Sequence, residues 1–195
     1  MPLFYKPFFY QFFQKGKLEM NIIVENTKKS VLSSEILKSH LRIANNIEDD
    51  YLNEIISMAT DILEKNIEKP ILRKKYKYIH SNDKYVSTRR ILLPMCFVTS
   101  IISVKKVVSS NKRENIDYSV EDIGERTYVI TNGTRYPIEI IYTAGITDKP
   151  DEIPKDLQFA VLQIAKNIYE CSEEDILESK YIKHIVNSNR SLYIN

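Results

Sequence analysis

IEIIYTAGITDKPDEIPKDLQFAVLQIAKNIYE, residues 138–170, decides the fold class. Its first part alternates, so Ile138, Ile140 and Tyr142 share one face of a strand. Gly145 ends that run. Pro154 then stands where a helix begins, because its missing N–H is one the first turn leaves unpaired in any case. Leu157, Ala160, Val161, Ile164, Ala165 and Ile168 recur at helical spacing and form an apolar stripe. Strand period gives way to helix period, and the two do not alternate along the chain, which indicates α+β organisation.

Moving toward the N-terminus, β periodicity persists. Asn132-Gly133 lies between the strand signals Thr127–Ile130 and Tyr136–Tyr142 and predicts a hairpin. Asp117–Val120 reads as a short strand, and SSNKREN at 109–115 as a polar loop. Ile101–Val108 is the longest β-branched run, and Ile91-Leu92-Leu93 is a strand stopped by Pro94. Tyr76 and Tyr78, with Lys75 and Lys77 between them, predict a half-exposed strand. Before Pro70 the period is helical again. EDDYLNEIISMATDILEKNIEKP at 48–70 opens with Glu48, Asp49 and Asp50, which suit the positive end of a helix dipole. Its stripe is Leu52, Ile55, Ile56, Ala59, Ile62, Leu63 and Ile67. VLSSEILKSHLRI at 31–43 is a shorter helix with Ser33 or Ser34 as N-cap and Ile36, Leu37 and Leu41 on one side. Ser172 and Asp175 have capping-box spacing and predict a last helix carrying Ile176, Leu177, Tyr181, Ile185 and Val186.

The expected architecture is therefore a small helical bundle of about four helices with an inserted antiparallel β segment containing a hairpin. Residues 1–30 form an N-terminal extension. Residues 31–171 form the main domain, with helices at 33–43, 48–69 and 154–170 and the β segment at 71–143. Residues 172–195 form a C-terminal helix and tail. Ile56, Ile62 and Leu63 are expected to pack against Val161, Ile164 and Ile168.

The 195 residues fit one domain with extensions, and 43% hydrophobic content supports a core. A net charge of +2 does not single out nucleic acid as the dominant partner. Cys96 and Cys171 have no CxxC spacing and read as buried, reduced residues. No apolar run approaches the ~20 residues that span a bilayer.

The N-terminus is unlike the rest. Five of the seven Phe residues fall within the first 13 positions. Pro2, Lys6 and Pro7 interrupt them, and no small-residue cleavage site follows, so the stretch does not read as a secretory signal. Three readings fit: an interfacial membrane anchor, an arm on a neighbouring subunit, or leader sequence ahead of a start at Met20. The last is favoured. In an AT-rich coding sequence Lys15-Gly16 would be written as a purine-rich ribosome-binding stretch, three codons ahead of Met20.

Catalytic patterns are missing from the sequence. Four glycines leave no room for a phosphate-binding loop. His40, His80 and His184 lack metal-ligand spacing, and the acidic groups at 48–50 and 173–178 fit helix starts better than metal sites. No enzyme activity, metal or cofactor is expected. Lys75, Lys77, Arg89 and Arg90, interleaved with Tyr76 and Tyr78, have two readings. One is a nucleic-acid face; the other is the solvated side of an edge strand on which lysine blocks pairing.

Five motifs occur in an order that resembles the tailed-phage gp6-like head–tail connector (adaptor) family, which includes gene-transfer-agent adaptors. They are HLRI at 40–43, the acidic-led helix 48–68, LLP with VTSIISV over 92–104, DYSV at 117–120, and IEIIYTAG with the helix after Pro154. The sequence departs from the family pattern at Phe97, where proline often precedes the valine. It departs again at Glu170-Cys171, where an arginine often follows the tyrosine. The resemblance implies a non-enzymatic structural subunit of a phage or prophage-like particle. It implies a ring of about twelve copies between the portal and a stopper or tail-completion protein, with DNA passing through the channel without sequence-specific contact. It implies no membrane partner, and a place in the bacterial cytoplasm during assembly and then in the particle neck. It also implies portal contacts in the C-terminal region, here Tyr181, Ile185, Arg190 and Tyr193. The alternative reading is a nucleic-acid-binding module built on the basic strands around 73–90.

Overall fold

The computed structural model describes residues 10–14, 17–25, 29–44, 49–81, 88–172 and 176–190. Its elements, in chain order, are β1 (Tyr10–Gln14), β2 (Lys17–Glu25), α1 (Ser34–Leu41), α2 (Asp49–Ile67), β3 (Lys74–His80), β4 (Thr88–Leu92), β5 (Val98–Ser109), β6 (Lys112–Asn115), β7 (Tyr118–Ile123), β8 (Arg126–Asn132), β9 (Ile138–Ala144), α3 (Lys155–Tyr169) and α4 (Lys180–Asn189). Short 3-10 turns at Pro150–Glu152 and Ile176–Glu178 precede the last two helices. The fold is α+β, as expected. The chain forms two compact units. One holds residues 1–26 and 74–145, the other residues 27–73 and 146–195.

The helical unit is built by apolar stripes. Ile55, Ile56, Ala59, Leu63 and Ile67 of α2 join Leu157, Ala160, Val161, Ile164 and Ala165 of α3 in one buried cluster, closed by Leu37, Ile182 and Ile185. Ile62 and Ile168 pack on it as partly buried residues. Ser33 caps α1, its Oγ accepting the Ile36 N–H at 3.4 Å. Three helices end on a left-handed residue that is not glycine: Arg42, Glu68 and Cys171, with φ of 60°, 59° and 48°. After α3, the Cys171 N–H reaches the Ile168 carbonyl and the Ser172 N–H reaches the Asn167 carbonyl, both at 3.2 Å. These two bonds make a Schellman cap. Cys171, expected to be buried, is exposed because it occupies that cap, whereas Cys96 is buried.

A side chain fixes the exit from α2, and backbone bonds join the two stretches that form this unit. The buried Glu64 accepts the Ile71 N–H at 2.8 Å. Ile146 N–H donates to the Pro70 carbonyl at 3.1 Å, and Arg73 N–H to the Thr147 carbonyl at 2.8 Å. Leu72 and Thr147 form a parallel bridge.

The β unit holds a six-stranded sheet in the order β1-β2-β3-β9-β5-β6 and a three-stranded sheet in the order β4-β8-β7. Tyr76, Tyr78, Val104, Ile138, Ile140 and Tyr142 of the first sheet share a buried core with Ile91 and Val129 of the second, and with Leu93 just beyond β4. The Tyr76 and Tyr142 rings stack at 5.5 Å.

Several sequence expectations are corrected here. Asn132-Gly133 is not a hairpin turn. β8 is already flanked by β4 and β7, and β9 by β3 and β5, so neither has a free edge for the other. Residues 133–137 instead carry the chain from one sheet to the other. The tight turns lie elsewhere. Gly124-Glu125 joins β7 to β8, with Ile123 opposite Arg126 and φ of 60° at Gly124, the positive first central position of a type II′ hairpin. The polar stretch 109–115 is not wholly loop, since β6 pairs with β5 within it. Phe97, at φ 55°, takes a conformation closed to the proline usual in the resemblance. The last helix begins at Lys180, with Ile176 and Leu177 in the preceding turn; Asp175 of the expected capping box lies outside the described residues. Residues 1–30, set apart as an extension, contribute two strands. β1 pairs with β2, and β2 with β3 from Met20 opposite Ile79 onward.

Two outcomes are expected. Leu63→Ala should cost about 2–5 kcal/mol in chemical denaturation, because Leu63 lies in the α2–α3 contact with no exposure; a loss below about 0.5 kcal/mol would place it at the surface. Deleting residues 1–19 removes β1 and the start of β2 while keeping the β2–β3 ladder from Met20. Calorimetry should show a fall of about 2–4 °C for each kcal/mol of pairing lost, and an unchanged midpoint would show that β1 adds nothing to the stability of the sheet.

Candidate interaction surfaces

Three surfaces combine exposure with chemistry. On the helical unit, Phe159 of α3 and Tyr181 of α4 form an edge-to-face pair at 5.3 Å. Both remain open to solvent, Tyr181 at 57%. At the other end of α4, Arg190 Nη2 lies 2.7 Å from Glu68 Oε1, and the Asn189 amide donates to Asp156 at 2.8 Å. These bonds fix the last turn of α4 against the end of α2 and the start of α3.

The four residues named as portal contacts therefore separate. Tyr181 is exposed. Arg190 is engaged with Glu68. Ile185 is 3% exposed and belongs to the helical core, so it cannot touch a partner without unfolding α4. Its apolar position on an amphipathic helix faces α2 and α3, not solvent. Tyr193 lies outside the described residues. Phe159 was missed by the stripe count, being off the buried face of α3.

The basic group also separates. β3 is an interior strand, paired with β2 and β9, so Lys75 and Lys77 do not guard an edge. Arg89 and Arg90 belong to β4 in the other sheet. Arg89 Nη1 lies 3.3 Å from the His80 ring, whose other nitrogen meets the Tyr78 hydroxyl at 3.2 Å. Arg90 sits 3.0 Å from Glu121 and 4.0 Å above the Tyr128 ring. Tyr76 and Tyr78 are buried and offer no ring to a base. The stacking-and-charge reading therefore loses its aromatic half.

The second surface is the β5–β6 end of the six-stranded sheet. Lys106 and Lys112 each approach Glu114 at 2.8 Å, and Arg113 lies 3.5 Å from the nearly buried Glu139. Hydrogen bonds from Lys106 and then Lys112 hold the Glu114 carboxyl at about 2. The hydrogen bond that Lys112 donates to Glu114 raises the Lys112 ammonium in turn. On the helical unit, Lys149 and then Thr147 lower Glu152 in the same way.

The third surface is β7. Tyr118, Val120 and Ile123 are each over 40% exposed. Among the described residues β7 pairs on one side only, with β8.

Among the described residues no group of three His, Cys, Asp or Glu side chains could hold a metal ion. None of their helices is long and apolar enough to cross a membrane.

Residues 35–127 match the model of the phage gp6-like head-tail connector protein family. That segment, just under half of the chain, is similar to a gp6-like connector domain. The fold likeness extends beyond the matched segment. The chain is similar to one in the neck of an empty gene transfer agent (GTA) particle computed with six-fold symmetry. That likeness has a TM-score of 0.73 at 17% identity and covers 90% of this chain and 97% of the other. A chain in the virion of a native GTA particle gives 0.70 at 16% identity, with 90% and 97% covered. A chain in the neck of a native GTA particle, computed with twelve-fold symmetry, gives 0.67 at 17% identity, with 89% and 97% covered. No curated protein matches the sequence. The connector-family match starts in α1 and ends in β8, so it takes in both units.

The cluster around Glu114 makes one prediction. Because the folded carboxyl is held low, the unfolded state binds the proton more readily. The stabilisation is complete above the ordinary carboxylate range and fades as pH falls through the folded value of about 2. Carboxyl-carbon NMR should show Glu114 titrating well below the other exposed glutamates. Lys106→Met should move it back toward them, and high salt should reduce the shift.

Proposed function

We propose that this chain is a structural subunit of a phage or phage-like particle, assembling as a ring in the neck between portal and tail. The carrying observation is the connector-domain match together with a fold likeness that takes in 97% of a neck chain. The ring closes around the particle axis and extends the channel through which DNA leaves, and a stopper or tail-completion protein seats on its far side. Twelve copies agree with the twelve-fold neck of one similar structure. The channel needs no base-reading surface, which agrees with the buried tyrosines of β3 and the dispersed basic residues. No chemistry on substrate is assigned to the chain.

The portal contact is placed on the exposed aromatic pair Phe159–Tyr181, with Arg190 and Glu68 steadying α4. A rigid aromatic anchor of this kind concentrates binding energy at an interface. Removing everything from Tyr181 onward would be a poor test, because it also removes Ile182 and Ile185 from the core.

Electron microscopy of the chain mixed with its cognate portal should show an added ring on the portal axis. Tyr181→Ala should weaken docking by about tenfold or more, equivalent to at least ~1.4 kcal/mol, with an unchanged unfolding midpoint. Full docking by that variant would remove the aromatic contact. Failure of the intact chain to join the portal would remove the connector role.

A further inference from the structure

Among the four strands that end the two sheets, β1, β6, β4 and β7, the pair β6 and β7 is of opposite character. β6 is short and charged. Around it Lys105, Lys106, Lys112 and Arg113 outnumber Glu114 and Glu139. β7 is longer, exposed along nearly its whole length and apolar at Tyr118, Val120 and Ile123. Around it Asp117, Glu121, Asp122 and Glu125 outnumber Arg90 and Arg126. Each strand has a partner on one side only among the described residues: β5 for β6, and β8 for β7.

An open edge presents unpaired backbone groups to any strand that fits it. Lysine on an edge discourages pairing between like edges but favours an acidic strand. Tyr118 and Val120 on one face of β7, and Ile123 on the other, leave apolar surface beside the edge that a partner strand would cover. The same chain thus carries two complementary edges at different places. Such a pair supports a head-to-tail contact, the kind that a closed ring of more than two copies requires.

We propose that the subunit contact of the ring is this one: the acidic, apolar β7 edge of one copy lies against the basic β5–β6 edge of the next. The proposal rests on the ring reading above and specifies its interface. Backbone pairing supplies the adhesion, Tyr118 and Val120 exclude water on one face of the seam and Ile123 on the other, and charge sets which edge meets which. Charge complementarity also steers encounter and suppresses β6–β6 and β7–β7 pairing.

Two full-length variants test this. One carries Asp117→Lys with Glu125→Lys, and the other Lys105→Glu with Lys112→Glu. Circular dichroism and unfolding midpoints establish that both remain folded. Ring formation is read by electron microscopy and mass photometry, with and without portal. Each variant alone should lose rings, with self-association weakened about tenfold or more. An equimolar mixture should regain them, because each reversed edge then meets an oppositely reversed neighbour and the two chains alternate. Normal rings from either folded variant alone would overturn the proposal. So would a mixture of folded variants that stays unassembled, or loss of rings in the β7 variant only, which would mean that β7 meets its own copy. Variants that bind portal without closing a ring would support the assigned contact and leave the connector role intact. An unsubstituted chain that makes no ring with portal would overturn both.

Discussion

The backbone pairing of residues 70–73 with 146–147 is the constraint on which the helical unit depends. α2 precedes the β segment and α3 follows it, yet their stripes share one core. That core cannot close until the chain returns at Ile146. The Pro70, Ile71 and Thr147 carbonyls receive the backbone bonds that hold the two passages together, and Glu64 fixes the exit from α2 through the Ile71 amide. Glu64 is buried, and its value lies in satisfying a backbone donor that would otherwise be stranded. Joining distant stretches also makes closure a long-range event, which slows folding relative to a helical bundle with local contacts.

Pairing capacity organises the β unit in a comparable way. β8 and β9 are each flanked on both sides. The remaining open edges therefore fall on peripheral strands, and chemistry differs among them. A charged, ion-paired β6 is tolerable in water. An apolar β7 is less so. That asymmetry, and not any cavity or catalytic cluster, is the most informative functional feature of the unit. It agrees with a protein whose work is to be held between neighbours.

The segment that matches the connector family takes in parts of both units, and so does the division of labour proposed for them. The helical unit offers a rigid aromatic pair on helices locked by core packing and by the Glu68–Arg190 ion pair. The β unit offers complementary edges. The depressed Glu114 carboxyl is a consequence of two ammonium neighbours and makes itself felt only in acid.

Periodicity and punctuation in the sequence determined the helices, most strands and their order. Apolar spacing marked the α2 and α3 stripes, Ser33 and Pro154 marked helix starts, and β-branched runs marked β5 and β9. These signals are local, so they survive without knowledge of partners. Only the tertiary structure decided which strands meet. Asn132-Gly133 has the chemistry of a hairpin turn, but other strands occupy both edges of its flanking strands. Lys75 and Lys77 have the pattern of an edge, but β2, distant in sequence, pairs along that side of β3. Ile185 has the spacing of any amphipathic residue, and only the packing of α4 shows that its face turns inward. Pairing and burial are properties of what lies across the gap. A single strand or helix specifies its own period, and not the neighbour that will fill it.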